Sequence, residues 1–172
     1  TSRHVMNSFD FGGTGQPLHF LHANGYPPDC YKPLFELLKT EYHVFGMHLR
    51  PLWDDAKPED IHNWFPFSDD LLRFLASTTP HNERVAPLSA TNRPDPVIGV
   101  GHSIGGTVTL RAALRDPGKF RALVLIDPVL FVPRFMAMWH TIRMLRLGDR
   151  RHPLIVRAKK RRRTFDDLDT VF

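Results

Sequence analysis

Strand-length runs of nearly unbroken apolar residues, alternating with stretches of helical spacing, constrain this chain more than any other feature. The runs are YHVFGMHL (42–49), PVIGVG (96–101) and FRALVLIDP (120–128). Strands that read this way are parallel and covered by helices on both faces. Between the last two lies GGTVTLRAALRD, a helix. Upstream, CYKPLFELLKTEY (30–42) places Tyr31, Leu34, Phe35, Leu37 and Leu38 at helical spacing, with Asp29 as N-cap. IHNWFPFSDDLLRFLAS (61–77) is also helical, starting in earnest after Pro66. Two shorter apolar runs, 4–9 and 18–22, flank the turn-rich FGGTGQP. PLWDDAKPED (51–60) and the proline-rich TTPHNERVAPLSATNRPDP (78–96) read as loops. The expected fold class is α/β, with a mostly parallel sheet and no internal repeat.

Other features limit the class of protein. A chain of 172 residues supports one domain with a real core. No apolar run reaches the length of a membrane span, and TSRHVMNSFDFGG at the start carries no signal-peptide pattern. Cys30 is the single cysteine, so no internal disulfide forms and a cytoplasmic setting is the default. The net charge of +5 suggests an anionic partner until it is mapped. Residues 143–163 hold ten of the 23 Lys and Arg and one acid, Asp149, and the remainder carries 13 basic against 17 acidic residues. Basicity belongs to one segment, not to the fold.

The chemistry sits where strand PVIGV meets the helix, at Gly101-His102-Ser103-Ile104-Gly105-Gly106. A serine on a sharp strand-to-helix turn needs small neighbours two residues away, so that strand and helix approach closely. The turn lifts the hydroxyl clear of the sheet, and the helix N-terminus points N–H groups where negative charge develops. The bare G-x-S-x-G pattern is weak, since a glycine-rich turn fits it equally well. The strand before it and the helix after it favour the catalytic reading, with Ser103 as nucleophile.

Three blocks, LHFLHANGYP (18–27), VIGVGHSIGG (97–106) and FRALVLIDPV (120–129), resemble the α/β-hydrolase superfamily in kind and order. The likeness covers most of residues 4 to 130. It implies that the loop at His22, Asn24 and Gly25 supplies an oxyanion-hole N–H from Asn24, with Ala23 where glycine is commoner. Ile104, after the nucleophile, supplies the second N–H. Asn-Gly-Tyr-Pro is also turn chemistry in its own right, and the two readings are compatible. HLRPLW (48–53) departs from the family pattern: Arg50 remains, while Pro51 and Trp53 stand in place of glycines. Arg50 is expected to tie down its own loop.

The resemblance divides the chain into residues 1–130, the N-terminal part of the core, and 131–172, the start of a helical lid. Phe131, Phe135, Met138, Ile142 and Leu145 recur there at helical spacing. A lid is preferred over a membrane-surface helix and over nucleic-acid binding through AKKRRR, a short basic run without stacking aromatics. In the family the order is Ser, then acid, then His. No late strand carries them here, so both are expected beyond Phe172 and the fragment is expected to be inactive. His102 is expected to point away from Ser103, His140 and His152 to pack or face solvent in the lid, and Asp127 to cap the turn after its strand.

The expectation is therefore a serine hydrolase acting on a small-molecule acyl substrate, with no metal, no cofactor and no nucleic-acid partner. A non-catalytic module of the same fold is the alternative. A truncated sheet would also expose a strand edge and favour self-association.

Overall fold

The computed structural model describes residues 7–57, 61, 63–78, 95–130, 141 and 144. The chain divides into two compact units, Thr1–Val129 and Leu130–Phe172. In the second, only Leu130, Thr141 and Met144 are described, so the proposed lid stripe, His140, His152 and the basic run lie outside the described residues. The same holds for the start of the 4–9 run and for most of the proline-rich loop.

Five strands form one sheet in the order β1-β3-β2-β4-β5. β1 (Ser8–Gly12) runs antiparallel to β3 (Tyr42–Met47). β3, β2 (Gln16–Leu21), β4 (Val97–His102) and β5 (Phe120–Ile126) are mutually parallel. Helix α1 (Lys32–Leu38) leads from β2 to β3, α2 (Phe65–Thr78) precedes β4, and α3 (Ile104–Arg115) joins β4 to β5. The chain thus leaves β2 toward one edge and β4 toward the other. Ligands of open α/β sheets bind beyond the carboxyl ends of the strands at such a reversal, and Ser103 sits there.

The apolar spacing explains the two layers. Phe67, Leu71, Phe74 and Leu75 lie on one stripe of α2 and Ile104, Val108 and Ala112 on one stripe of α3. Both stripes join a cluster with Leu21, Phe45, Met47 and Val97 on one face of the sheet. On the other face Leu18, Phe20, Val44 and Val100 pack around Phe35 of α1. Phe35 is fully buried, with ring centroids 4.5 Å from Phe11, 4.9 Å from Phe20 and 6.0 Å from Phe9. Phe35→Ala is expected to cost about 3–5 kcal/mol in urea denaturation. A loss under about 1 kcal/mol would contradict this packing.

Three expectations need correction. Asp29 does not cap α1: it lies in a 3-10 turn, Pro28–Tyr31, and pairs with Lys32, while Tyr31 is the residue at the cap. Pro33, in the first helical turn, tolerates only that late start. α2 begins at Phe65, before Pro66, because a proline fits the first turn. β3 and β4 are buried along most of their length, yet β5 is not covered on both faces: Val124 is 48% and Ile126 39% exposed.

Arg50 ties down its own loop by anchoring it to α2. Its Nε and Nη2 donate to the Asp70 carboxylate at 2.5 and 3.0 Å, its guanidinium lies over the Trp53 ring, and Arg73 also pairs with Asp70. A carboxylate as buried as Asp70 needs such partners. Among the described residues no helix is long and apolar enough to cross a membrane.

Candidate active site

Ser103 stands between β4 and α3 with φ 55° and ψ −120°, a conformation that non-glycine residues rarely adopt. Strain of this kind persists only where the surroundings enforce it. The Ser103 N–H donates to the Ile126 carbonyl at 2.9 Å, which fastens the turn to β5. Thr107 returns its N–H to the Ser103 carbonyl at 3.2 Å, and its hydroxyl donates to the Val129 carbonyl at 2.8 Å. A Cβ on Gly101 would lie 2.5 Å from the Gly105 carbonyl oxygen and 2.6 Å from the Gly106 nitrogen. One on Gly105 would lie 2.6 Å from the His22 carbonyl oxygen and nearer still to that of Leu21. Both glycines are therefore required by backbone, not by side chains that might move aside.

The loop after β2 is built in the same way. Tyr26 N–H donates to the Ala23 carbonyl at 3.2 Å, closing a turn whose third residue, Gly25, has φ 78°. This turn makes no use of the N–H of its second residue, Asn24. Ile104 is the first residue of α3, so its N–H has no carbonyl to reach within the helix. Asn24 thus lies second in a turn and Ile104 first in a helix, positions whose N–H groups the turn and the helix do not themselves use.

His22 holds the loop in place. Its Nδ1–H donates to the Ala23 carbonyl at 2.8 Å, and its Nε2 accepts the Leu49 N–H at 2.9 Å, joining the loops after β2 and β3. Both ring nitrogens are used in the neutral form, and burial lowers its pKa. The neighbouring His48, whose ring lies 6.1 Å from that of His22, is also lowered by burial. His102 is held by Tyr31, whose helical spacing marks it only for packing: its Nδ1 lies 2.7 Å from the Tyr31 hydroxyl. That same hydroxyl accepts the Ala23 N–H at 3.1 Å.

Among the described residues no histidine ring is hydrogen-bonded to the Ser103 hydroxyl. His19 is buried in the core, His22 and His102 are engaged as above, and His43 pairs with Asp10 at 2.9 Å. Asp127, exposed at the end of β5, has φ 44° and is the other non-glycine residue of positive φ among those described. Aspartate tolerates that region better than most side chains. No group of three or more His, Cys, Asp or Glu placed to hold a metal occurs among the described residues.

The sequence profile of the alpha/beta hydrolase family matches residues 20–171. Among curated proteins, the type I acyl-CoA thioesterase mpaH' of Penicillium brevicompactum is 29% identical over 116 residues, 63% of this chain and 25% of its own. The type I acyl-CoA thioesterase mpaH of Penicillium roqueforti is 30% identical over 112 residues, with the same coverage. The chain spans about a quarter of the length of these relatives. Among solved structures, one from work on the carboxylesterases of the thaumarchaeon Nitrososphaera gargenis aligns with a TM-score of 0.59 at 20% identity. That alignment covers 98% of this chain and 58% of the other. A serine hydrolase involved in carbazole degradation aligns at 0.58 and 22% identity, over 81% of this chain and 52% of its own. Likeness at these identities is one of fold.

Proposed function

Because this chain belongs to the alpha/beta hydrolase family, we propose that it is the nucleophile-bearing part of a serine hydrolase for an ester or related acyl substrate. The observation that carries this reading is the backbone of Ser103, strained at φ 55° on a glycine-flanked turn at the sheet's topological reversal. Ser103 Oγ attacks the acyl carbonyl, and the carbonyl oxygen becomes an oxyanion facing the N–H groups of Asn24 and Ile104. Collapse of that intermediate expels the alcohol or thiol and leaves an acyl-serine, which water then hydrolyses. The thioesterases among its relatives support an acyl group joined through oxygen or sulfur.

Attack needs a base for the Ser103 proton, and a hydroxyl without one is a weak nucleophile. In this reading the histidine and its acid come from outside the described residues, and the chain alone turns over slowly. The segment from residue 131 onward is the start of a lid, and no metal or organic cofactor takes part. β5 ends the strand order among the described residues, and self-association through that edge is a lesser part of the reading. The second reading, a non-catalytic module of the same fold, is favoured by the lack of a histidine at Ser103 among the described residues.

A nitrophenyl ester and a thioester of the same acyl chain separate these readings, with imidazole added as an external base. The enzymatic reading expects imidazole-dependent release above background from the folded chain, lost in Ser103→Ala. Equal release by both proteins would leave the binding-module reading standing.

A further inference from the structure

The hydroxyl of Tyr31 lies where the two halves of the site meet. It accepts the Ala23 N–H at 3.1 Å and is hydrogen-bonded to His102 Nδ1 at 2.7 Å. Ala23 opens the turn that presents Asn24, and His102 immediately precedes Ser103 on β4. A single hydroxyl therefore bridges the loop after β2 and the serine turn, whose His102 lies 71 residues beyond Tyr31 in sequence. The ring that carries it is itself fixed, with centroids 4.7 Å from Phe20 and 6.0 Å from Phe35. Burial raises the phenol's pKa, so it remains a hydroxyl able to donate.

We propose that Tyr31, with His102 as its acceptor, is a positioning residue that sets the spacing between the Asn24 and Ile104 N–H groups. The proposal rests on the reading of Ser103 as the nucleophile. By occupying the Ala23 N–H, Tyr31 also withholds that donor from substrate and leaves Asn24 to face it. A hydrogen-bonded link suits the task because oxyanion stabilisation depends steeply on donor placement, and packing alone tolerates small slippage. His102 takes part through its acceptor nitrogen and not as a base.

Tyr31→Phe keeps the packed ring and removes the hydroxyl. With imidazole present, the expected result is a fluorophosphonate inactivation rate at Ser103 that falls about ten-fold or more, with the probe's binding constant within about two-fold. His102→Leu should match this loss, and the double variant should be no worse than either single one, because both remove the same link. His102→Asn, which keeps an acceptor oxygen, should retain most of the rate. A loss confined to the binding constant, strictly additive losses, or a His102→Asn variant as slow as His102→Leu would overturn the proposal.

A second readout needs no catalysis. Amide exchange at Ala23, whose N–H the Tyr31 hydroxyl accepts, should quicken about ten-fold in Tyr31→Phe, in a fold otherwise retained. Should Ser103 go unlabelled in the unsubstituted chain, the nucleophile reading fails and the exchange rates alone decide the link. Unchanged exchange at Ala23 would then refute it.

Discussion

Lowering the pH from 7 to 4 is expected to remove about 3 kcal/mol of folding stability through His19 alone. His19 lies at the centre of β2, fully buried, with ring centroids 5.7 Å from Phe45 and 5.6 Å from Phe74. Neither ring nitrogen has a hydrogen-bond partner, and burial lowers its pKa from 6.5 to about 3. Its unfolded form therefore binds a proton between those values while the folded form does not. Stability is complete above pH 6.5 and declines as the pH falls toward 3. Burial lowers His22 and His48 too, so they add a slope of the same sign. Against a usual total of about 5–15 kcal/mol, this decides whether the fold survives mild acid. His19→Leu removes two unpartnered nitrogens from the core and should flatten the profile without loss at pH 7. Urea denaturation from pH 7.5 to 4 measures both chains. Equal slopes for the two would show that His19 does not carry the effect.

Gly105→Ala should destabilise the chain by about 3 kcal/mol or more, far beyond what one methyl group costs on an open helix. The new Cβ would meet the backbone carbonyls of Leu21 and His22, which belong to β2 and to the loop that carries Asn24. These atoms cannot rotate away, so α3 must lift from the sheet and the serine turn with it. Gly118 provides the control, since a Cβ there meets only the Asp116 carboxylate, at 3.5 Å. Gly118→Ala should fall within about 0.5 kcal/mol of the parent. Similar denaturation midpoints for both variants would mean that strand and helix do not approach as closely as described.

Much of this was legible in the sequence because it is local. Continuous apolar runs marked β3, β4 and β5, and the pattern at 101–106 marked Ser103, since a tight turn between strand and helix admits few residues. Asn24 and Ile104 came from the family resemblance, and the structure places the first in a turn before Gly25 and the second at the start of α3. What escaped depends on distant partners. Tyr31 has the spacing of a core residue, and nothing nearby announces that its hydroxyl meets His102. His19 reads as one polar letter in an apolar run, and only the packing of α2 against β2 shows it buried without a partner. The late start of α1 reflects a 3-10 turn at Pro28–Tyr31 that competes with the helix for the same residues. β5 is as apolar as a covered strand, yet Val124 and Ile126 stand half exposed. Sequence shows what a strand would bury, not what packs on it.

Ser103 as a nucleophile facing two N–H donors is tested directly by fluorophosphonate labelling read by intact mass and peptide mapping. The chain and Ser103→Ala are compared with and without imidazole, both shown to be folded. One adduct is expected, on Ser103, formed slowly in buffer, faster with imidazole, and absent from Ser103→Ala. No adduct on Ser103 in the folded chain at any imidazole concentration, or equal labelling of both proteins, would contradict it.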